Sequence, residues 1–158
     1  LNLDDGEEEW SAPRLDAKGV STNKGVVYGR VVITYHESLL VHSAIRRGKG
    51  VALQALDAGS GRSLWSHEAG TIACNTPPDV LVNRGLVWVL NTAEWTYDGL
   101  DPRTGEKKKS LDASLVSSGT HHNCYRTRAT RDFFLYGRVN GIEYFDINRN
   151  ESKRVNWL

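Results

Sequence analysis

Methionine is missing altogether, and cysteine occurs only twice in 158 residues. With no methionine even at position 1, a processed chain or an excised piece is expected. Cys74 and Cys124 are too few for the disulfide framework of a small secreted domain, and they lack CxxC spacing. They can bridge once, or sit as buried thiols that behave as small hydrophobes. Apolar runs are short, and none approaches the ~18–20 residues that cross a membrane as a helix. The opening Leu1-Asn2-Leu3-Asp4-Asp5 carries neither a basic stretch nor an apolar core, so no signal peptide is visible. Charge of one sign is also missing: the formal net charge is +1, which gives no footprint for nucleic acid. Helical periodicity is nearly absent, with one candidate stretch at 37–47.

What is present is a repeat. An apolar strand ending in Asp, a short turn with Gly or Asn, and a second strand recur three times. The copies are Leu56-Asp57-Ala58-Gly59-Ser60-Gly61, Leu100-Asp101-Pro102-Arg103-Thr104-Gly105 and Phe145-Asp146-Ile147-Asn148-Arg149-Asn150. Their aspartates stand 44 and 45 residues apart, within the ~40–50-residue period of propeller blades. A truncated copy opens the chain at Leu3-Asp4-Asp5-Gly6-Glu7-Glu8-Glu9-Trp10.

Hairpins fill the spaces between these turns. Val80-Leu81-Val82, Asn83-Arg84-Gly85 and Leu86-Val87-Trp88-Val89-Leu90 read as strand, tight turn, strand. Val26-Val27-Tyr28 through Gly29-Arg30 to Val31-Val32-Ile33-Thr34-Tyr35 reads the same way one repeat earlier, as does the stretch from Cys124 through Arg131-Asp132 to Tyr136 one repeat later. The fold class expected is all-β: a partial β-propeller of four-stranded antiparallel blades. The divisions are 1–12 for the last strand of a preceding blade, then blades at 20–68, 69–112 and 113–158, the first with a surface insertion at 37–50. A blade cannot cover both its faces alone, and an incomplete ring leaves apolar end faces, so the remaining blades of a longer parent chain are expected partners.

The Asp-turn segments, continued by Arg62-Ser63-Leu64-Trp65 and Glu106, resemble the ALDxxTGxxxW pattern of PQQ-like (quinoprotein alcohol dehydrogenase-like) propeller repeats. The resemblance implies that Asp and Gly make the turn between the two outer strands and that the Trp docks on the adjacent blade. Trp10, Trp65 and Trp157 are assigned that role, and Lys109 replaces the Trp in the second blade, weakening docking there. Cys74-Asn75-Thr76-Pro77-Pro78-Asp79-Val80-Leu81-Val82, His121-His122-Asn123-Cys124-Tyr125-Arg126 with Thr127-Arg128-Ala129-Thr130, and Asn156-Trp157 are similar to blocks of a bacterial, exported subgroup. That likeness implies a periplasmic or extracellular location and carries no established activity. Quinoprotein dehydrogenases hold PQQ between a Trp and a vicinal disulfide; this sequence has no Cys-Cys pair, so PQQ is not expected to bind this segment.

The best chemical candidate is the strand His121-His122-Asn123-Cys124-Tyr125-Arg126. Alternation puts His122 and Cys124 on one face, and His121 and Tyr125 on the other. Imidazole and thiolate are both ligands for zinc or copper, and Cys74 is a candidate third ligand. Calcium is a further candidate cofactor. Alternatively, His121 or His122 with Tyr125 and Arg126 offers a base, an acid and an anion clamp, the set needed for proton abstraction beside a uronate carboxylate. The bland reading is that these residues fill polar positions near the channel and that Cys74 and Cys124 form a disulfide. Asp79, after Pro77-Pro78, is expected to set a turn. Trp95-Thr96-Tyr97 is a candidate for stacking on a sugar, although aromatics in strands more often belong to a core. His36, His42 and His67 are expected to be structural, and Glu7-Glu8-Glu9 and Lys107-Lys108-Lys109 to be solvated outer strands.

Two functional classes follow. The first is an extracytoplasmic scaffold that binds a ligand, a glycan or another small molecule, or a partner protein, with no nucleic acid and no membrane span. The second is an enzyme built on the His-His-x-Cys-Tyr-Arg strand, metal-dependent or acting as a lyase or hydrolase on anionic carbohydrate. A PQQ-dependent dehydrogenase is the distant third.

Overall fold

The computed structural model describes residues 4–12, 20–22, 25–27, 31–46, 50–69, 79–91, 93–114, 127–138 and 141–156. Every regular element among them is a β-strand. Strands β1 (Val20–Thr22) and β2 (Gly25–Val27) pair as a small hairpin of their own. Twelve further strands form three four-stranded antiparallel sheets, each a simple meander in chain order. Blade 1 holds β3 (Val31–His36), β4 (Leu39–Arg46), β5 (Gly50–Asp57) and β6 (Ser63–Glu68). Blade 2 holds β7 (Val80–Asn83), β8 (Leu86–Asn91), β9 (Thr96–Leu100) and β10 (Lys107–Asp112). Blade 3 holds β11 (Arg128–Ala129), β12 (Phe133–Arg138), β13 (Gly141–Asp146) and β14 (Glu151–Asn156). The all-β expectation of partial-propeller blades holds.

The three turns between third and fourth strands are built alike. Each begins at an Asp whose backbone carbonyl accepts the N–H of the residue four positions on, Gly61, Gly105 or Asn150, at 2.8 Å every time. The Asp side chain accepts further turn N–H groups: Ser60 at 2.9 Å, Arg103 at 2.8 Å and Asn148 at 2.9 Å. Short acidic side chains stabilise turns in this way by replacing a backbone partner. The closing residues have φ of 67°, 71° and 56°, which Gly and Asn tolerate best. The first hairpin of blade 2 turns through Arg84 and Gly85, both at positive φ, the geometry that suits a two-residue hairpin.

The blades stack face to face. Leu39, Val41, Leu53, Ala55 and Trp65 of blade 1 pack with Val80, Val87, Val89 and Leu100 of blade 2. The opposite face of blade 2, with Leu81, Trp88, Tyr97 and Leu111, packs on Phe134, Tyr136, Phe145 and Ile147 of blade 3. Period-2 alternation sends successive side chains of one strand to different neighbours. The first strands adjoin: the Thr34 hydroxyl donates to the Val80 carbonyl at 3.1 Å, and β7 touches both β3 and β11. Three first strands therefore lie side by side, as the inner strands of a propeller do.

Three expectations are corrected. The stretch placed as an insertion at 37–50 holds, over Leu39–Arg46, the second strand of blade 1, paired to β3 on one side and β5 on the other. The hairpin placed at 26–35 does not form, because Val26 and Val27 pair with β1 while Val31–His36 opens blade 1. The position of the docking Trp falls on Lys153 in blade 3, which pairs with Tyr144 as Trp65 pairs with Ala55. Trp157 follows Asn156, at the far end of β14, and lies outside the described residues. Among the described residues no helix is long and apolar enough to cross a membrane.

Candidate functional site at the blade seams

Two seams between blades carry the distinctive chemistry. At the first, the indole N–H of Trp65 donates to the Pro102 carbonyl at 2.8 Å. Its ring lies on Gly105, where an added Cβ would stand 2.7 Å from Trp65 Cδ2. Gly105 is thus required twice, by its φ and by the ring above it. Trp10 repeats the contact one blade earlier, donating to the Ala58 carbonyl at 2.9 Å and covering Gly61. The expected docking role of Trp10 and Trp65 is present, and Lys109 is exposed in the second blade as expected.

Reading back three residues from each turn Asp gives Gln54, Asp98 and Glu143, one polar residue per blade on the face toward the preceding blade. The His42 ring N–H donates to Gln54 at 2.9 Å, and the Gln54 amide donates to Ser63 at 3.0 Å. Asp98 is fully buried and accepts from Thr96 at 2.9 Å, Ser110 at 3.0 Å and Asn91 at 3.1 Å. Lys107 Nζ lies 3.6 Å from its carboxylate and 3.5 Å from that of Glu94. Burial pushes the Asp98 carboxyl up, but the Asn91, Thr96 and Ser110 hydrogen bonds and the Lys107 charge outweigh it and leave it below its ordinary value. Asp98 in turn holds Lys107 above the usual ammonium range. Glu143, also fully buried, has Arg154 Nε at 3.5 Å. Such groups persist in a core when they are paired and hydrogen-bonded. The signal for this row was in the sequence, but three different residue types concealed it.

Across the first seam His67 meets the field of Asp98, yet desolvation dominates and lowers its pKa. Across the second seam, burial raises the Tyr97 phenol well above its ordinary value, and the charges of Asp79 and Glu143 raise it further. Within the Trp95-Thr96-Tyr97 stretch, Tyr97 is buried and Trp95 is exposed, on a turn with φ of 53°. His42 is buried as a structural histidine, and His36 is exposed beside Glu37 at 3.8 Å.

His121, His122, Cys124, Tyr125, Arg126 and Cys74 lie outside the described residues. Their flanks do not: Asp79 Oδ2 accepts the backbone N–H of Thr127 at 2.6 Å. Asp79 is therefore a strap between the first strands of blades 2 and 3. Among the described residues no group of three or more His, Cys, Asp or Glu could hold a metal.

Meander sheets of four strands, turns repeated in register and faces stacked in series define the described chain as consecutive β-propeller blades. No protein-family model matches the chain, and no curated protein matches it. Among solved structures it is similar to BamB from Moraxella catarrhalis, at 24% identity and a TM-score of 0.48 over 77% of this chain. The chain spans 34% of that structure's length.

Proposed function

We propose that the chain is part of an extracytoplasmic β-propeller that serves as a binding scaffold for a ligand, a glycan or a partner protein. The observation that carries this reading is the Asp79–Thr127 strap at 2.6 Å. It ties together the starts of two neighbouring inner strands, and the candidate residues Cys74 and His121 to Arg126 come shortly before those starts in the sequence. Binding residues are disproportionately found on such connections, held by the scaffold beneath. The polar groups described within the blades have structural work instead: Asp98 closes a hydrogen-bonded knot and Asp57, Asp101 and Asp146 build turns. The exported location rests on the family resemblance of the Cys74–Val82 and His121–Thr130 blocks.

The same strap favours a second reading, an enzyme or metal site in which His122 and Cys124 meet Cys74, or in which His121, Tyr125 and Arg126 act on an anionic sugar. Zinc, copper or calcium would serve the metal form. Metal analysis separates the two. Stoichiometric zinc or copper, lost in His122→Ala and Cys124→Ser, supports the metal site. A metal-free protein with saturable binding to anionic oligosaccharides or peptides, weakened by Arg126→Ala, supports the scaffold. Turnover of a uronate polymer by the metal-free protein would overturn the scaffold reading.

A further inference from the structure

One strained backbone position falls on an exposed tryptophan. Trp95, in the turn from β8 to β9, has φ of 53°, the left-handed region that Gly61, Gly105 and Asn150 occupy in the Asp turns. A bulky residue is costly there and persists where its surroundings hold it in place. Asn91 Oδ1 accepts the backbone N–H groups of Ala93 at 3.1 Å and Glu94 at 3.4 Å, while Asn91 Nδ2 donates to Asp98 at 3.1 Å. Thr96, on the other side of Trp95, donates to Asp98 at 2.9 Å. The Ala113 N–H donates to the Trp95 carbonyl at 2.8 Å. Lys107 ties the Glu94 carboxylate, at 3.5 Å, to that of Asp98, at 3.6 Å. The buried Asp98 thus holds both flanks of the turn.

What the turn presents is the indole. Trp10, Trp65 and Trp88 each donate an indole N–H to a backbone carbonyl, and Trp65 and Trp88 are buried. Trp95 is 39% exposed and has no such partner among the described residues. β7 starts at Val80, paired with Val89, and β8 ends at Asn91, so the turn stands at the same end of the blades as the Asp79–Thr127 strap. Among the described residues no other large apolar side chain of blade 2 is exposed. Trp95 is therefore not the centre of an apolar patch of the kind that seats a folded protein. An isolated aromatic face with polar neighbours suits a pyranose ring, which is apolar on one face and hydroxylated around its edge. The charged groups around the turn are the Glu94, Asp98 and Asp112 carboxylates and one ammonium, Lys107, which Glu94 and Asp98 already hold. That excess of negative charge repels an acidic sugar.

We infer that the β8–β9 turn of blade 2 is a carbohydrate platform on which Trp95 stacks a sugar unit bearing no acidic group, neutral or amino-substituted. Glu94 accepts from its hydroxyl or ammonium protons. The inference rests on the scaffold reading and gives it a ligand class, opposite in charge preference to the anionic sugar that Arg126 would clamp.

Calorimetric titration of the protein with chitohexaose, its fully deacetylated counterpart and hexagalacturonate tests it. The first two should bind saturably and the uronate should not. Trp95→Asn should weaken both by about tenfold or more. It should keep the melting temperature of the parent, since asparagine tolerates the left-handed backbone, and Trp95→Tyr should bring back most of the affinity. Equal affinities in the parent and Trp95→Asn, or no binding of either chitin oligomer, would overturn the platform. Hexagalacturonate bound through Trp95 would overturn its charge preference. A melting temperature that falls in Trp95→Asn while affinity is unchanged would make the ring part of the fold and not a platform. Failure of the two readings is told apart by Arg126→Ala and by turnover. Arg126-dependent binding with none through Trp95 refutes the platform alone. Trp95-dependent binding accompanied by turnover of a uronate polymer refutes the scaffold alone.

Discussion

The two seams of this molecule solve one problem with different residues. Between blades 1 and 2 a single Trp docks: Trp65 is 7% exposed, lies on Gly105 and hydrogen-bonds to Pro102. Between blades 2 and 3 that pair is gone from both sides, Lys109 replacing the Trp and Asn150 the Gly. An aromatic cluster takes over: Tyr97 has Phe134 at 4.9 Å, Phe145 at 5.6 Å and Tyr136 at 6.1 Å between ring centroids. The Arg84 clamp then holds the rim. The Trp–Gly dock is thus one means of sealing a seam, and a strand face can lose it when larger rings fill the middle. Loss of the Trp goes with loss of the Gly because, without a ring above it, the turn needs only a residue that tolerates positive φ, and Asn150 at 56° meets that need.

The largest effect expected is at the first seam. Trp65→Ala removes a buried ring and its hydrogen bond and should cost about 3–5 kcal/mol, the usual range for a large buried aromatic. Chemical denaturation reads this directly, and a loss under about 1 kcal/mol would put Trp65 outside the seam. Gly105→Ala should destabilise for the same reason from below, through its φ of 71° and the ring 2.7 Å away.

The coupling can also be transplanted. Lys109→Trp alone should gain little, since Asn150 carries the side chain that Gly105 lacks. Lys109→Trp with Asn150→Gly should be more stable than the two single changes predict, by about 0.5 kcal/mol or more in a double-mutant cycle. Strict additivity would show that the dock depends on more than these two residues.

The repeat, the three Asp turns and the Trp65 dock were legible because each depends on few residues at fixed spacing. The second strand of blade 1 was not. Leu39-Leu40-Val41-His42-Ser43-Ala44 lacks alternation because a stacked blade has neighbours on both faces, so apolar residues run on and mimic a helix stripe. The displaced Trp position has another cause. The fourth strands of blades 1 and 2 carry a bulge, between Ser63 and Trp65 opposite Ala55/Leu56 and between Lys107 and Lys109, and that of blade 3 pairs in unbroken register. One extra residue shifts everything after it, which spacing alone does not reveal. Of the candidate site, the sequence supplied the chemistry of His121, His122 and Cys124, whereas the strap at Asp79 needed coordinates, since a carboxylate bound to a backbone N–H 48 residues away leaves no pattern.

A smaller effect is expected at the rim of the second seam. Arg84→Ala removes contacts to Asp132, Asn148 and the Arg131 carbonyl, all partly exposed. Its cost should be well below that of Trp65→Ala and should shrink as salt is added, because exposed ion pairs are screened. A loss equal to that of Trp65→Ala would mean that the clamp, and not the aromatic cluster, seals this seam.

The smallest effect separates the seams by pH. His67 pairs with Leu53 on the face toward blade 2, the place that Leu111 takes opposite Tyr97 one blade on. Its Nε2 is buried with no partner among the described residues. Desolvation lowers its pKa from the ordinary 6.5, the Asp98 carboxylate raises it, and the Lys107 ammonium lowers it again. A histidine whose folded pKa lies below its unfolded value takes up its proton more readily when unfolded. Stability is therefore full above about pH 6.5 and declines as pH falls through the lowered folded value. His67→Leu copies the second seam into the first and removes this dependence. Melting temperatures of the two proteins, measured from pH 8 to pH 5, should run together at the alkaline end and diverge on acidification, the variant falling less. The comparison cancels His36, His42, His121 and His122, which both proteins share. Parallel curves would show that His67 is solvated in both states and that the first seam is as insensitive to pH in this range as the second.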